Sequence, residues 1–584
     1  MSEFQNPQQQ PGIEKRLILV FALTFIVILV SQKFIFSKYE SNKPAQQQEK
    51  QQQGPAAPQQ APPPQAAVAA KPAPVPADAK QATSEQELVV ENDLYRITFT
   101  NKGAQVKSWI LKKYKDDHGK PLELVHRAAA AQHGYPLSLW NWDQGLRDKL
   151  NSALYVTDAQ GPAAAPAKVT FEFSDGDVVV RKTFGFDHSY VVDVETAVSR
   201  GGQYISAFPA WPAGFGDMTV PASYAAQGID YSDGTEVTRV GMNKVSGGAT
   251  LPGTYAWAGV LDQYFAAIFM PEHPRNAVLA TLHNSVSVPK DLNKPDPNNM
   301  VQEPVLGAAL GELNNVTRGR LFVGPKDVDI LGATHARGPN GEAQGPDLRA
   351  VVDFGWFGFI ARPLFMWLKW TYNHWVPNWG WSIIILTVII NLALLPLRIT
   401  QMKSALKMQK LAPQMKAIQE KYKKFKLNDP RRAEQNKEVA ALYKQHSVNP
   451  ASGCFPLLIQ MPFLFAFYKM LTVATELRHA PWLWVQDLSS PDKWFILPVG
   501  IVLSTLFMQK MTPMAGMDPA QQKMFTYMMP IFLGFMSWSL ASGLSLYWTI
   551  GNVIAIVQQW AMNKTQLGRE MRAEAEKRAR KAQK

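Results

Sequence analysis

Long apolar runs that are almost free of charge constrain this chain more than any other feature. They occupy residues 17–30, 381–397, 455–473, 494–508 and 524–560. Several of them approach or exceed the ~20 residues a helix needs to cross a bilayer core. The charged fraction of 18% is ordinary only because polar segments between the runs restore the average. The expected fold class is therefore a multi-domain α-helical membrane protein with six transmembrane helices, separated by soluble segments of different character.

The first run follows Lys15 and Arg16 and is succeeded by Gln32, Lys33 and Phe34 rather than by a small-x-small cleavage site. Residues 1–38 therefore read as an uncleaved transmembrane anchor with its N-terminus inside. Residues 39–85 are dominated by Gln, Pro and Ala and have too few large apolar side chains to offset chain entropy, which predicts a disordered linker. Such a tether holds the next domain near the membrane while leaving it free to move.

From residue 86 the hydrophobic period becomes two. Tyr95, Ile97 and Phe99 alternate with Arg96, Thr98 and Thr100, and Val169, Phe171 and Phe173 precede an Asp175-Gly176 turn. Tyr190, Val192 and Val194 repeat the spacing, and strands recur to about Val323. Alternation with frequent Gly and Pro over residues 86–345 predicts a β-sandwich domain large enough to fold alone.

Residues 346–566 revert to helical character. The segment 356–375 carries four Trp, with Arg362 and Lys369 seven apart on one helical face, as expected of a helix lying in a membrane interface. Spans are expected at about 380–397, 454–473, 494–511, 524–541 and 543–561. Residues 398–446 hold thirteen Lys/Arg against four Asp/Glu, and the tail 567–584 is again basic, whereas 474–493 has only Arg478 and Lys493. The positive-inside rule places the basic segments and both termini in the cytoplasm and the β-domain on the outer side. Within 400–446, Leu411, Met415, Ile418, Tyr422 and Phe425 recur at steps of three and four before a break at Asn428-Asp429-Pro430, which predicts a cytoplasmic helical hairpin. A Met-rich, Lys-rich surface of that kind suits transient capture of hydrophobic segments and attraction to anionic lipid or ribosomal RNA; a merely solvated hairpin is the plainer alternative. The basic tail is a further candidate for contact with the ribosome or anionic lipid.

Composition also excludes several classes. One cysteine, Cys454, leaves no internal disulfide and no thiolate metal cage. The formal charge of +13 could suggest nucleic acid, but it is concentrated beside apolar runs. No GxxxxGK[ST] motif supports ATP-driven work, and no paired carboxylates or His stand at a recognisable catalytic spacing, so neither a cofactor nor a metal is expected and the chain does not read as an enzyme. A transporter would also carry polar intramembrane groups, yet no inverted repeat and no acidic residue within the spans supports one.

Several strings point to one family. NDLYRITFTNKGAQVKSWILKKYK, WAGVLDQYFAAIFMP and LFVGPK lie in the β-region; VDFGWFGFIARPLFMWLKW, ALYKQHSVNPASGCFPLLIQMPFLFAFYKML, ELRHAPWLWVQDLS, QKMFTYMMPIFLGF and SGLSLYW lie downstream. In order and position they resemble the Gram-negative branch of the YidC/Oxa/Albino membrane protein insertases. The resemblance implies a five-helix insertase core with a large periplasmic domain. It also implies action alone or beside the Sec translocon on nascent inner-membrane proteins, supplied by ribosomes and the signal-recognition machinery.

Insertion requires lowering the cost of carrying polar groups through hydrocarbon, so polar side chains at membrane depth are the candidates. Thr387, Asn391 and Arg398 are such a set: on a continuous helix Asn391 and Arg398 fall about 40° and 20° from Thr387 around the axis. Family insertases carry an Arg inside their groove, and a gapless alignment of IIILTVIINLALLPLRITQ sets Asn391 at that place. Arg398, about 10 Å further along the helix, is the candidate replacement, with a cytoplasmic-boundary anchor and a helix-packing amide as the alternative readings of Arg398 and Asn391. Gln460, Tyr547, Trp548 and Asn552 complete the expected substrate groove. By resemblance, Thr387 and the Tyr547-Trp548 pair correspond to substrate-contacting positions.

Overall fold

The computed structural model describes residues 79–569 apart from 160, 219–220, 290–298, 423–424, 426–428, 447–454, 512–518 and 567. The expected anchor, most of the linker, Cys454 and nearly all of the basic tail lie outside the described residues. Everything below concerns the described residues.

The alternating segments become strands because one face is buried. Asn92 accepts from the backbone N–H of Leu94 and Tyr95 at 2.8 Å each, closing the turn between strands Glu87–Glu91 and Tyr95–Thr100. That turn sets the register so that Tyr95, Ile97 and Phe99 all point into the core, where each is completely buried. Phe99 then reaches across to Phe171 and Phe184, with ring centroids 5.7 and 5.1 Å away. The contact joins a five-stranded sheet to a ten-stranded one, and a second five-stranded sheet completes the three sheets among the described residues. In this last sheet, strands Ala277–Pro289 and Met300–Glu312 pair antiparallel over their whole length. The β-rich domain expected here is built from these three sheets.

Downstream lie eight helices among the described residues: α1 (Gly358–His374), α2 (Trp379–Ala393), α3 (Leu395–Tyr422), α4 (Arg431–Gln445), α5 (Phe455–Val473), α6 (Ile496–Met511), α7 (Pro519–Ser537) and α8 (Ser542–Asn563). α8 packs on α6 and α2, α7 on α6, and α1 on α5 and α2. Gly380 lets α2 begin directly under the Trp482 indole, which a Cβ would strike. One apolar core runs without interruption from the strands into α1, α2, α5 and α8, through residues such as Leu348, Phe354, Leu364, Leu386 and Phe467.

Two expectations bear on these helices. Among the described residues no helix is long and apolar enough to cross a membrane. α2 and α6 have 15 and 16 residues, and α7 and α8 dilute their apolar content with Gln, Asn, Tyr and Trp. The expected span 380–397 also splits, because the chain turns at Leu394 before restarting at Leu395-Pro396. Second, the stripe from Leu411 to Phe425 does not face outward as a capture surface. Leu411, Met415 and Tyr422 are buried, and Tyr422 and Tyr443 bond to Glu438 (2.9 Å) and to the Met415 sulfur (3.1 Å) across α3 and α4. Ile418 is half-buried, and Phe425 lies half-buried beneath the Arg431 guanidinium, 3.9 Å away. A period of three and four marks the face that finds a partner helix, and here the partner is the other arm of the hairpin.

Candidate functional site

The polar side chains expected to line a groove lie on α2, α3, α5 and α8. Asn378 caps α2 by accepting from Trp381 N–H at 3.2 Å. Two turns into that helix, Thr387 donates to the Ile383 carbonyl at 2.6 Å, and Asn391 donates to the Thr387 carbonyl at 2.8 Å. Both side chains are buried, and both are folded back on their own helix. Each amide or hydroxyl therefore spends one bond locally, and its oxygen retains accepting capacity.

On α8, Tyr547 stacks against Phe467 of α5 with centroids 4.0 Å apart and planes 13° from parallel. Trp548 beside it is half-buried. Asn552 donates to the hydroxyls of Ser504 and Thr505 on α6, both at 3.0 Å. The Ser545 hydroxyl is buried without a hydrogen-bond partner. Ser504, Thr505 and Ser545 were missed by reading the sequence, although Ser504-Thr505 is the one hydroxyl pair inside the run ILPVGIVLSTLFM and was open to the same search that found Thr387.

The angular offsets from Thr387 assume an unbroken helix, whereas α2 ends at Ala393 and α3 begins at Leu395, with Arg398 N–H still bonded to the Leu394 carbonyl at 3.0 Å. Arg398 is partly buried and donates to the Gln558 amide oxygen of α8 at 3.3 Å. Tyr547 lies within its electrostatic reach. The sequences of α2 and α5 to α8 contain no Asp or Glu, so the guanidinium bonds to a neutral amide among helices that bring no carboxylate. The Gln460 side chain is outside the described residues.

Among the described residues the arrangement offers hydrogen-bonding side chains on α2, α6 and α8 together with the Arg398 guanidinium. Residues 87–367 match the family model for the YidC periplasmic domain, and residues 370–569 match that for the 60Kd inner membrane protein. The membrane protein insertase YidC of Syntrophus aciditrophicus strain SB is 33% identical over 94% of this chain and 100% of its own. The chain belongs to the YidC family of membrane protein insertases. The insertase of Geobacter metallireducens is 35% identical, covering 86% of this chain and 90% of that one. A crystal structure of an active YidC insertase with its first transmembrane domain resolved covers 85% of this chain and 95% of that one, at 19% identity and a TM-score of 0.34. The family's function is insertion of proteins into the inner membrane, which is not enzymatic, and one of its parts is the periplasmic domain that the β-region matches.

Proposed function

We propose that the helical region spans the inner membrane and inserts nascent membrane proteins through a polar recess formed by Thr387, Asn391, Arg398, Gln460, Tyr547, Trp548 and Asn552. In this reading the β-domain stands in the periplasm, and the hairpin and both termini stand in the cytoplasm. The Arg398 cation supplies the charge that family members carry at the place of Asn391.

One observation carries the proposal. Among the described residues the β-domain exposes only Val156 and Met300 of its large apolar side chains, whereas all the others so exposed lie between Trp356 and Trp560. Phe359, Trp370, Leu503, Phe507, Ile531, Phe535 and Trp560 would be an aggregation hazard in water and suit contact with lipid. Inside that apolar envelope sit the small neutral polar groups and one cation, the combination that shortens a hydrophilic segment's passage through hydrocarbon. Burial of the substrate's own apolar helix, aided by membrane potential, supplies the energy.

Beyond the recess, the Sec translocon, the ribosome with its signal-recognition machinery and anionic lipids are proposed partners. The seam of the α3–α4 hairpin would serve capture only when opened. Photo-crosslinkers at positions 391, 398 and 547 are expected to label a ribosome-stalled membrane protein. Arg398→Ala should lower insertion of a Sec-independent substrate about tenfold, equivalent to ~1.4 kcal/mol of lost stabilisation. Labels that meet only lipid and neighbouring helices, together with normal insertion by the Arg398 variant, overturn the reading.

A further inference from the structure

Lys369 lies on α1, a helix whose exposed face is apolar, with Phe359, Met366, Trp367 and Trp370 open. Its ammonium points the other way, into the protein. It is 2.7 Å from Asp329, 3.0 Å from Glu476 and 3.7 Å from Asp327. The carboxylates come from two further places: Asp327 and Asp329 from the short β-domain helix Val328–Ala333 and its cap, and Glu476 from the turn Thr475–Leu477 that follows α5. The side chains of Lys369, Glu476 and Asp327 are only 17%, 13% and 16% exposed.

Two of the acceptors also have partners of their own. Asp327 accepts from the N–H groups of Asp329 and Ile330, and Glu476 is fixed in its turn beside Thr475. An ammonium, compact and with three donors, suits carboxylates that approach from separate directions. Burial pulls the Lys369 pKa down, but Glu476, Asp329 and Asp327 outweigh it and lift the group above the ordinary lysine value. Glu476 is pushed up by burial and by Asp327. The Tyr114 hydroxyl also faces this cluster.

We propose that Lys369 is a positioning residue for insertion, clasping the β-domain, α1 and the outer end of α5 into one body and thereby holding Phe467 in place beneath Tyr547. The clasp acts at the turn closing α5, and α5 carries Phe467, so the route from Lys369 to the recess is a single helix. The inference rests on the reading of the recess given above. In that reading the β-domain is an anchor against which α1 and α5 are set, in addition to being a tethered module.

The full chain in proteoliposomes tests this with Lys369→Met, Lys369→Arg and Asp329→Asn. Lys369→Met should slow insertion about fivefold, a typical coupling between sites, and speed amide exchange at residues 467–477 while strand Val191–Arg200 keeps its protection. Lys369→Arg should restore most of the rate, because the charge returns even if the geometry is looser. Unchanged insertion by the Met variant overturns the proposal, whether or not exchange at 467–477 rises. An Arg variant as slow as the Met variant overturns it too. Where the Met variant loses protection in Val191–Arg200 it has failed to fold, and Asp329→Asn decides instead. That change removes the most exposed leg of the clasp and should slow insertion about twofold; no effect overturns the proposal. Failure of the recess reading is separate: crosslinks from position 547 to the stalled substrate would then be missing in the unaltered protein.

Discussion

The β-domain and the helical region both bury polar groups, but they treat them oppositely. In the β-domain two buried lysines are tied to backbone carbonyls. Lys182 is completely buried and donates to the carbonyls of Gly103 (2.8 Å), Ala104 (3.1 Å) and Leu137 (2.7 Å). All three carbonyl residues have positive φ, so one ammonium stitches together backbone that is otherwise costly to hold. Lys326 likewise donates to the Asp262 carbonyl at 2.7 Å. In the helical region the buried Thr387 and Asn391 bond to carbonyls one turn back on their own helix. Local bonds of that kind are cheap to exchange, so polarity there stays available to a passing chain, whereas polarity in the β-domain serves rigidity.

The contrast breaks first at Lys182. Lys182→Met leaves three buried carbonyls without a donor and should cost about 3–5 kcal/mol of β-domain stability, read by urea unfolding followed through Trp fluorescence. A loss below about 1 kcal/mol would mean that the buried charge is not structural.

Asp230 sharpens the contrast through pH. Burial pushes its pKa up to about 6, against the downward pull of Arg239. The folded state therefore holds a proton that the unfolded state releases near pH 4. The associated stability is full below about pH 4 and is lost as pH rises through 6. Asp230→Asn should remove that slope and raise stability at neutral pH by about 2 kcal/mol, seen as a Tm that no longer falls between pH 4 and 7. A slope that persists in the variant assigns the effect elsewhere.

The smallest effect is expected at Asn552. Asn552→Leu should cost the helical region only about 0.6 kcal/mol, because the hydroxyls of Ser504 and Thr505 can turn to their own helix carbonyls. A loss beyond about 2 kcal/mol, measured by unfolding in mixed detergent, would show that polarity here is bound to its partners as firmly as in the β-domain.

Much of this was legible in one dimension. Alternation at Tyr95, Ile97 and Phe99 specified a buried strand face, because a period of two has only one way to hide three large side chains. The two-armed segment 400–446 was readable from its break at Asp429-Pro430. What its stripe faces was not, since the same period serves an exposed capture surface and a hairpin seam. Lys369 was harder still. Seven residues from Arg362, it reads as one of two charges on an interfacial helix, and the pair does share a direction, with Arg362 lying 5.7 Å over the Phe354 ring. Its partner Glu476 is 107 residues away, a separation that no local pattern encodes.

By itself the sequence determined the division into a β-rich and a helical half, the family and the identity of the few polar residues in apolar surroundings, because periodicity, charge bias and long motifs are local properties of the chain. Only the tertiary structure decided that Arg398 meets Gln558, that Asn552 answers to α6, and that Lys369 is held by three carboxylates. Those outcomes depend on which helices pack together, and packing is settled by the whole chain at once.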